Sequence, residues 1–360
     1  MTLYNRCKGV YGQVPFNTYS HVTVGPFTVQ QMDHFFGQIA FSYDFTPSIR
    51  LAIMDYSSGA PGVFGSLICF TINHRMWNCE FKEWHSWFKF QMFRQYLKLY
   101  NITYERIRTE LHHLSTDDWK ALNYMLIHGN ASIFSSPSQT LDFGTLLQMG
   151  LFVQAMTGEL SFASEMMRRI CMEAQPVRDM EHELLGDSPL ELLSASIRCM
   201  RPNIIGDALV ANQKSHREAI FQFELYSAMR GIMQRNDCTQ QILAETRGHG
   251  ENQRFDILIS GGGGSISCGF ELKSNKRTIA EIETAVKQAD SHKQLLGIDK
   301  MFVVNFVPRI QVMDDVYHID YFPDIKVVHV CYAETYDEYE LKFLGEKGET
   351  QSRKVRSVAS

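Results

Sequence analysis

The chain has 360 residues, of which 44% are hydrophobic, 12% aromatic and 21% charged. This composition excludes a disordered chain, a collagen-like repeat and a low-complexity scaffold, and the length favours two or three domains. The net charge of -5 excludes a broadly polycationic nucleic-acid binder, so any contact with nucleic acid must depend on local geometry.

Signals for membranes, secretion and disulfides are missing from the sequence. No stretch approaches the roughly 20 apolar residues of a membrane span, and the opening MTLYNRCKGVYGQ lacks the apolar core of a signal peptide. The eight cysteines are scattered, without a C-x-x-C pair or a Cys/His block at zinc spacing. We therefore expect free thiols, no membrane contact and an intracellular location.

The first third of the chain has the pattern of packed helices. Thr28 is a suitable N-cap, and Pro47 and Pro61 suit the first turns of a second and a third helix. The aromatic-rich run 77–110 is interpreted as packing between helices, with a base-stacking platform as the alternative. Apolar residues of the first helix recur at helical spacing, at Met32, Phe35, Phe36 and Ile39.

The second region has the element order of a winged helix. Ser115 caps a helix, DFGTLLQMG forms a short second helix, a hairpin turns at 156–159, and ASEMMRRICMEA forms another helix. Such a module can bind DNA or serve as a spacer. The spacer is favoured because Arg168 and Arg169 are its only notable basic pair.

A β-hairpin flanked by helices is predicted in the last third of the chain. An amphipathic helix covers 214–235, and the strand-like runs RFDILIS and SISCGFELKSN lie on either side of four consecutive glycines. A second helix, TIAEIETAVKQADSHKQLLG, and a further strand, MFVVNFV, come after the hairpin.

The register of this hairpin brings carboxylates together. If the loop has four residues, Gly261 pairs with Ile266 and Asp256 with Glu271. Asp256, Glu271 and Lys273 then share one face of the hairpin, and the opposite face is continuously apolar. A slip of one residue would destroy this separation.

Two carboxylates from adjacent strands repel each other and favour a shared divalent cation. Their hard oxygen atoms suit Mg²⁺ or Mn²⁺, with Asp256 and Glu271 as the metal ligands. Lys273 would orient or deprotonate the attacking water and offset phosphate charge.

Asp256, Glu271 and Lys273 form an Asp-x14-Glu-x-Lys pattern that resembles the PD-(D/E)xK nuclease signature, and the order of helices and strands around it is also similar. The resemblance implies an α/β domain of the restriction-endonuclease-like fold. It also implies hydrolysis of a phosphodiester bond by in-line attack, which releases a 3′-hydroxyl and a 5′-phosphate.

The resemblance also implies supporting residues on the two helices. Glu224 matches the acid of the family's first helix, with Glu218 as the alternative, and Gln288 matches the polar residue of its second helix. His292, one turn after Gln288, is expected at the surface.

The helical part resembles another family. PFTVQQMDHFFGQIA, followed by Gly59-Ala60-Pro61-Gly62, is similar to the lid of a signalling-type AAA ATPase. A lid, a winged helix and a nuclease domain in succession resemble Crinkler–RHS-type effectors and AAA-ATPase-associated nucleases, which implies an effector that acts in the nucleus. Because Walker A and Walker B motifs are missing from the sequence, we expect a missing ATPase domain or a separate ATPase partner, and no ATP hydrolysis by this chain.

These inferences predict a multidomain protein whose mainly α-helical half precedes an α/β domain. The predicted parts are an AAA-lid-like region (1–110), a winged-helix-like region (111–204), a PD-(D/E)xK nuclease-like domain (205–345) and a flexible tail (346–360).

The predicted function is a Mg²⁺- or Mn²⁺-dependent DNA endonuclease, with DNA as the partner. The first alternative is an inactive DNA-binding or signalling module, favoured because residues 205–360 hold 22 acidic residues against 19 Lys and Arg. The second is a scaffold whose lid and winged helix dock an ATPase.

Overall fold

A computed structural model describes nine stretches of the chain: 26–89, 102–132, 140–176, 188–211, 217–236, 241–247, 254–260, 266–309 and 324–358. Helices dominate the N-terminal half, and a mixed seven-stranded sheet lies in the C-terminal part. The expected order of a mainly α-helical half and an α/β half is therefore present. Within the described stretches, no helix is both long enough and apolar enough to cross a membrane.

The first described helices begin where the sequence predicts. Thr28 caps the first of them, since its side chain accepts from the Gln31 N–H and its own N–H donates to Gln31. The next two helices each begin with a proline, whose missing N–H is harmless in the first turn. The bounds are α1 Val29–Ile39, α2 Pro47–Ser57, α3 Pro61–Asn73, α4 Phe81–Lys89 and α5 Ile102–Leu111.

The Gly59-Ala60-Pro61-Gly62 motif makes a tight connection between α2 and α3. Gly59 has a φ of 77°, and its carbonyl accepts a 2.7 Å hydrogen bond from the Phe27 N–H. A side chain at position 59 would collide with the Phe27 backbone. The glycine is therefore required by this close approach, and Pro61 begins the next helix.

The aromatic side chains of the run 77–110 that the structure describes, Trp77, Phe81 and Trp84, pack against the helical core, as predicted. Trp84 and Phe81 are buried, and the Trp84 indole N–H donates to Thr71 Oγ1 at 2.9 Å. Residues 90–101 of the run lie outside the described residues.

The second region contains a small antiparallel sheet of order β1-β3-β2. The predicted hairpin and its flanking helices are present, and the first strand was not predicted. Arg168 and Arg169 are buried, and Arg168 donates to the Leu126 carbonyl at 2.9 Å. This pair is therefore not exposed for DNA binding. The bounds are α6 Thr116–His128, β1 Asn130–Ser132, α7 Gly144–Gln148, β2 Phe152–Gln154, β3 Glu159–Phe162 and α8 Glu165–Ala174.

The remaining elements build the large sheet. Three helices precede it, α9 Pro189–Arg198, α10 Pro202–Ala211 and α11 Arg217–Arg235. The predicted Asp and Glu-x-Lys strands are β5 and β6, and β4 before them was not predicted. In chain order the bounds are β4 Gln241–Arg247, β5 Arg254–Ser260, β6 Ile266–Ser274, α12 Ile279–Leu296, β7 Lys300–Pro308, β8 Ile325–Tyr332, β9 Glu338–Leu344 and β10 Thr350–Arg356.

The large sheet has the order β10-β9-β8-β7-β6-β5-β4. Strands β4, β5 and β6 form an antiparallel meander, and α12 connects β6 to the parallel strand β7. Strand β8 is parallel to β7, and β9 and β10 are antiparallel additions. The parallel centre therefore lies between two antiparallel edges.

Helices α11 and α12 pack on opposite faces of this sheet. Phe221 of α11 stacks on Phe306 of β7 with 4.2 Å between ring centroids. His292 of α12 contacts Glu271 of β6, whose register partner is Val303. Because neighbouring side chains along a strand alternate, Val303 and Phe306 point to opposite faces. The face that carries Glu271 is called the α12 face below.

The predicted flexible tail 346–360 is wrong for its described part. Strand β10 pairs with β9 along its whole length, and Val355 is buried in the core. Beyond the strand, Ser357 Oγ donates to the Met200 carbonyl at 2.8 Å and the Val358 N–H donates to the Arg198 carbonyl at 2.9 Å. The segment has the polar composition of a flexible tail, but pairing with β9 and these two hydrogen bonds hold it against the fold.

The cysteines of the described stretches are free thiols, as expected.

Candidate functional site

The β5–β6 hairpin brings Asp256 and Glu271 together. The pairs Ile257–Phe270, Leu258–Gly269 and Ile259–Cys268 have the predicted register, and its continuation places Asp256 opposite Glu271. The predicted Gly261–Ile266 pair is wrong, because the register shifts after Ile259 and Ile266 pairs with Ser260. The glycine-rich loop 261–265 lies outside the described residues.

Asp256 is a buried carboxylate beside other acids. Its Oδ2 accepts a 2.5 Å hydrogen bond from the Leu272 N–H, and its backbone carbonyl accepts from Gln222 of α11 at 3.3 Å. Burial raises the pKa of Asp256 well above its ordinary value, and the charge of nearby Glu271 raises it further.

Glu271 lies at the centre of the cluster and is fully buried. Its Oε1 is 2.7 Å from Lys273 Nζ, and its Oε2 is 3.1 Å from His292 Nδ1. Each of its two oxygens thus has one nitrogen partner, which fixes the orientation of the carboxylate.

Lys273 lies near three carboxylates, two from the hairpin strands β5 and β6 and one from α11. Burial alone would lower the pKa of its ammonium group, but the charges of Glu271, Asp256 and Glu218 together raise that pKa. Lys273 therefore stays protonated in this arrangement and acts as a fixed positive charge. A protonated lysine can orient a water molecule or a phosphate but cannot remove a proton.

The acid that α11 contributes to the cluster is Glu218, so the assignment to Glu224 is wrong. Glu218 Oε1 lies 4.0 Å from Lys273 Nζ, and partial burial raises the pKa of Glu218, although 42% of its side chain is exposed. Glu224 is fully buried and pairs with Arg201 at 2.7 Å, and it also accepts from the Arg201 backbone N–H. Six residues correspond to about 600° of helical rotation, so the two glutamates point in directions about 120° apart.

His292 is a second residue that the sequence interpretation placed wrongly. It was expected at the surface, but it is fully buried against Glu271. The signal was present, because buried residues of α12 recur at helical spacing and position 292 continues their stripe. The buried residues of that stripe are Ile282, Ala285, Val286, Ala289, His292 and Leu296.

Gln288 is half-buried one turn before His292, on the same side of α12. In the described part of the chain, no hydrogen bond joins Gln288 to Asp256, Glu271 or Lys273. Gln288 therefore lies one helical turn from a residue of the cluster but makes no hydrogen bond to these three residues.

A polar row continues from the cluster across the sheet. Lys273 of β6, Asn305 of β7 and His329 of β8 are register partners on the α12 face. Asn305 holds the turn after β6, since its Oδ1 accepts from the Lys276 N–H at 3.1 Å and its Nδ2 donates to the Lys276 carbonyl at 2.7 Å. Its Nδ2 also lies 3.1 Å from His329 Nδ1. Burial lowers the pKa of His329 to about 4, so this imidazole is neutral at pH 7.

The cluster therefore places three carboxylates around one ammonium group. Hard oxygen atoms of this kind suit Mg²⁺ or Mn²⁺. Burial raises the pKa of Asp256 and of Glu218, and a bound cation would favour the ionised form of each. In the side-chain conformations of the described stretches, however, no group of three or more His, Cys, Asp or Glu residues is arranged to hold a metal ion.

Comparison of the chain with family models, with curated proteins and with solved structures finds no match, so the function is argued from the site itself.

Proposed function

We propose that the chain is a metal-dependent DNA endonuclease of the PD-(D/E)xK type, with its site at Asp256, Glu271 and Lys273. The observation that carries this proposal is the convergence of the three side chains from adjacent strands in a buried cluster. The antiparallel meander, the crossing helix α12 and the parallel strand β7 are arranged in the order that this family requires.

The donor set fits a divalent cation. Asp256 and Glu271 would hold it, and Glu218 is the third carboxylate within reach of Lys273. Burial, and then repulsion by Glu271, keep the pKa of Asp256 high, and a bound cation would favour its ionised form. When bound, Mg²⁺ or Mn²⁺ supplies Lewis acidity to the phosphoryl group and lowers the pKa of a bound water.

The chain's own residues supply position and charge. Lys273 places a positive charge where the scissile phosphate would lie and orients the attacking water through its N–H groups. His292 Nδ1 contacts Glu271 Oε2, and this contact fixes the orientation of the carboxylate. Gln288, one turn before His292, is proposed to contact the substrate or its water. Glu224 has no role in this proposal, because Arg201 neutralises it.

An inactive DNA-binding or signalling module is the second candidate. The observation that favours it is the acidic balance of residues 205–360, with 22 acids against 19 Lys and Arg, since phosphate binding usually requires an excess of basic residues. Partnership with an ATPase, action as a Crinkler-type effector and a nuclear location are further proposals that rest on the resemblance alone.

Nicking of supercoiled plasmid DNA tests the proposed activity. We expect the full chain to nick the plasmid in Mg²⁺ or Mn²⁺ and not in EDTA, and Glu271→Gln to reduce the rate by at least about 100-fold through loss of a charged ligand. The matched control is Glu224→Gln, which changes a buried glutamate outside the cluster. Plasmid left intact by the wild type would refute the proposal and favour the inactive module, and equal nicking by Glu271→Gln would show that the proposed site does not cut DNA.

A further inference from the structure

Strands β9 and β10, together with the residue that follows β7, carry a group of basic side chains on the α12 face. Lys342 of β9 is the register partner of His329, so it continues the row of Lys273, Asn305 and His329. In the strand register, Lys354 of β10 lies opposite Glu340 of β9 and Arg356 lies opposite Glu338. Both basic residues are therefore on the same face as Lys342. Arg309 follows β7 and forms a 3.1 Å ion pair with Glu338. Arg309, Lys342, Lys354 and Arg356 are called the basic strip below.

The cations of this strip outnumber the acids beside them by one. It contains four cations, and three acids lie among them, namely Asp337, Glu338 and Glu340. Glu338 is paired with Arg309, while Glu340 accepts a 2.6 Å hydrogen bond from Ser352 Oγ. Within the described part of the chain, no carboxylate lies within 4.0 Å of the side-chain nitrogens of Lys342, Lys354 or Arg356.

The strip is open to solvent and borders a cavity. Lys354 and Arg356 are exposed, and Lys342 is half-buried. A surface cavity of about 470 Å³ is lined by Arg309, Lys354 and Arg356 together with residues 338–340 and Val355. Cations beside an open concave surface are suited to oxygen atoms of phosphates.

The strip and the proposed nuclease site lie on one face of one sheet. Lys273 and Lys342 are three strands apart in the same register row, which corresponds to about 14 Å at the usual strand spacing. One strand of duplex DNA carries a phosphate about every 3.4 Å along the helix axis, so this distance spans about four nucleotides. Helix α12 packs on β6, β7 and β8 of this face and Asn305 and His329 are buried there, so a duplex with its scissile phosphate at Lys273 would reach β9 and β10 past the helix and not along the row.

We infer that the basic strip binds the phosphate backbone of duplex DNA on one side of the scissile phosphate. The inference rests on the proposed function for the position of that phosphate, and on charge complementarity for the partner. The strip is a local group of cations within residues 205–360, where 22 acids outnumber 19 Lys and Arg.

Salt-dependent binding of a short fluorescent DNA duplex tests the strip. Measurements on the full chain in EDTA exclude cleavage. We expect Lys354→Gln with Arg356→Gln to weaken binding by about tenfold at about 50 mM salt and to reduce the slope of log affinity against log salt by about 1.8, or about 0.9 for each lost phosphate contact. Lys342→Gln alone should reduce the slope by about half as much.

Arg353→Gln is the matched control. Arg353 is exposed on the same strand, but its register partner is Leu341, so it points to the opposite face. Arg353→Gln removes one positive charge from the chain and should leave the slope nearly unchanged. All these positions are solvent-accessible or half-buried, and thermal unfolding of each variant checks that the fold is kept.

Several results would overturn the inference. A slope changed no more by the double variant than by Arg353→Gln would show that the strip does not bind DNA. Strip-dependent binding of single-stranded RNA but not of duplex DNA would refute the chosen partner. Self-association of the double variant with full DNA binding would show instead that these charges protect the exposed sheet edge.

The outcome for the strip is separable from that of the proposed function. A wild-type chain that binds duplex DNA through the strip but never nicks it supports the strip and refutes the nuclease. A chain that nicks plasmid equally well with and without Lys354 and Arg356 supports the nuclease and refutes the strip.

Discussion

At the scale of single residues, the site is a cluster in which carboxylates outnumber cations and in which Asp256, Glu271 and Lys273 are buried. Three carboxylates surround one ammonium group, and burial adds to the penalty for ionising Asp256. Such a cluster weakens the folded protein unless a cation or protons compensate, as is common at functional sites. Titration of the cluster should therefore be visible in the stability of the metal-free protein.

Asp256→Asn should stabilise the metal-free protein at alkaline pH. The folded state raises the pKa of Asp256, so it binds more protons than the unfolded chain, and the free energy of unfolding falls as pH rises from the ordinary Asp value through the folded one. An asparagine side chain does not ionise, so its free energy of unfolding does not fall in this way. Its amide oxygen can still accept the hydrogen bond from the Leu272 N–H. Urea unfolding in EDTA should show a gain of about 0.5–2 kcal/mol at pH 8 and a smaller gain at pH 5.

Glu281→Gln provides a control of opposite sign for this measurement. Hydrogen bonds from the Arg277 and Thr278 N–H groups lower the pKa of Glu281, so its carboxylate stabilises the fold above the ordinary Glu pKa. Glu281→Gln should therefore destabilise the chain at pH 8. Equal effects of the two substitutions on the free energy of unfolding would contradict the charge account of Asp256.

The sequence predicts some of these residues and not others, for physical reasons. Asp256, Glu271 and Lys273 follow from strand alternation, which needs only local geometry. The choice between Glu218 and Glu224 depends on which side of α11 meets the sheet, and both sides carry apolar residues. Arg201, which neutralises Glu224, is distant in sequence, so no local pattern could indicate it.

At the scale of elements, capped helices and alternating strands were predictable, and edge strands were not. Helices α1, α6 and α12 have capping boxes that are visible as short motifs. Strand β10 has a single buried side chain, Val355, so its sequence lacks the alternation that marks a strand. Its structure depends on pairing with β9, which the sequence alone does not reveal.

Substitutions in β10 test whether this strand stabilises the fold. Val355→Ser should lower the free energy of unfolding by about 1–3 kcal/mol because it places a polar group in the core. Arg353→Ser, two residues earlier at an exposed position, should change it by less than about 0.5 kcal/mol. Urea unfolding measures both. Equal small effects would support the flexible tail that the sequence predicts.

At the scale of the whole molecule, the helical half and the sheet share contacts and one hydrophobic core. Arg230 of α11 donates to the Gln175 carbonyl at 2.9 Å, and Ser227 Oγ donates to Gln175 Oε1 at 3.1 Å. Helix α11, which carries Glu218, is therefore held between the helical half and the sheet. The position of the helix acid thus depends on both halves of the chain.

The central claim is that Asp256 and Glu271 bind a metal ion while Lys273 acts on the substrate. The most direct test is the rate of plasmid nicking as a function of Mg²⁺ concentration, with Mg²⁺-induced thermal stabilisation measured in parallel. Wild type should show a saturable rate and a stabilisation of about 2.7 kcal/mol at 100 times the dissociation constant.

Two substitutions separate the roles in this measurement. Asp256→Asn should lose both the nicking and the thermal stabilisation by Mg²⁺, whereas Lys273→Ala should lose nicking by at least about 100-fold and still be stabilised by Mg²⁺. Equal Mg²⁺-dependent nicking by wild type, Asp256→Asn and Lys273→Ala would contradict the account.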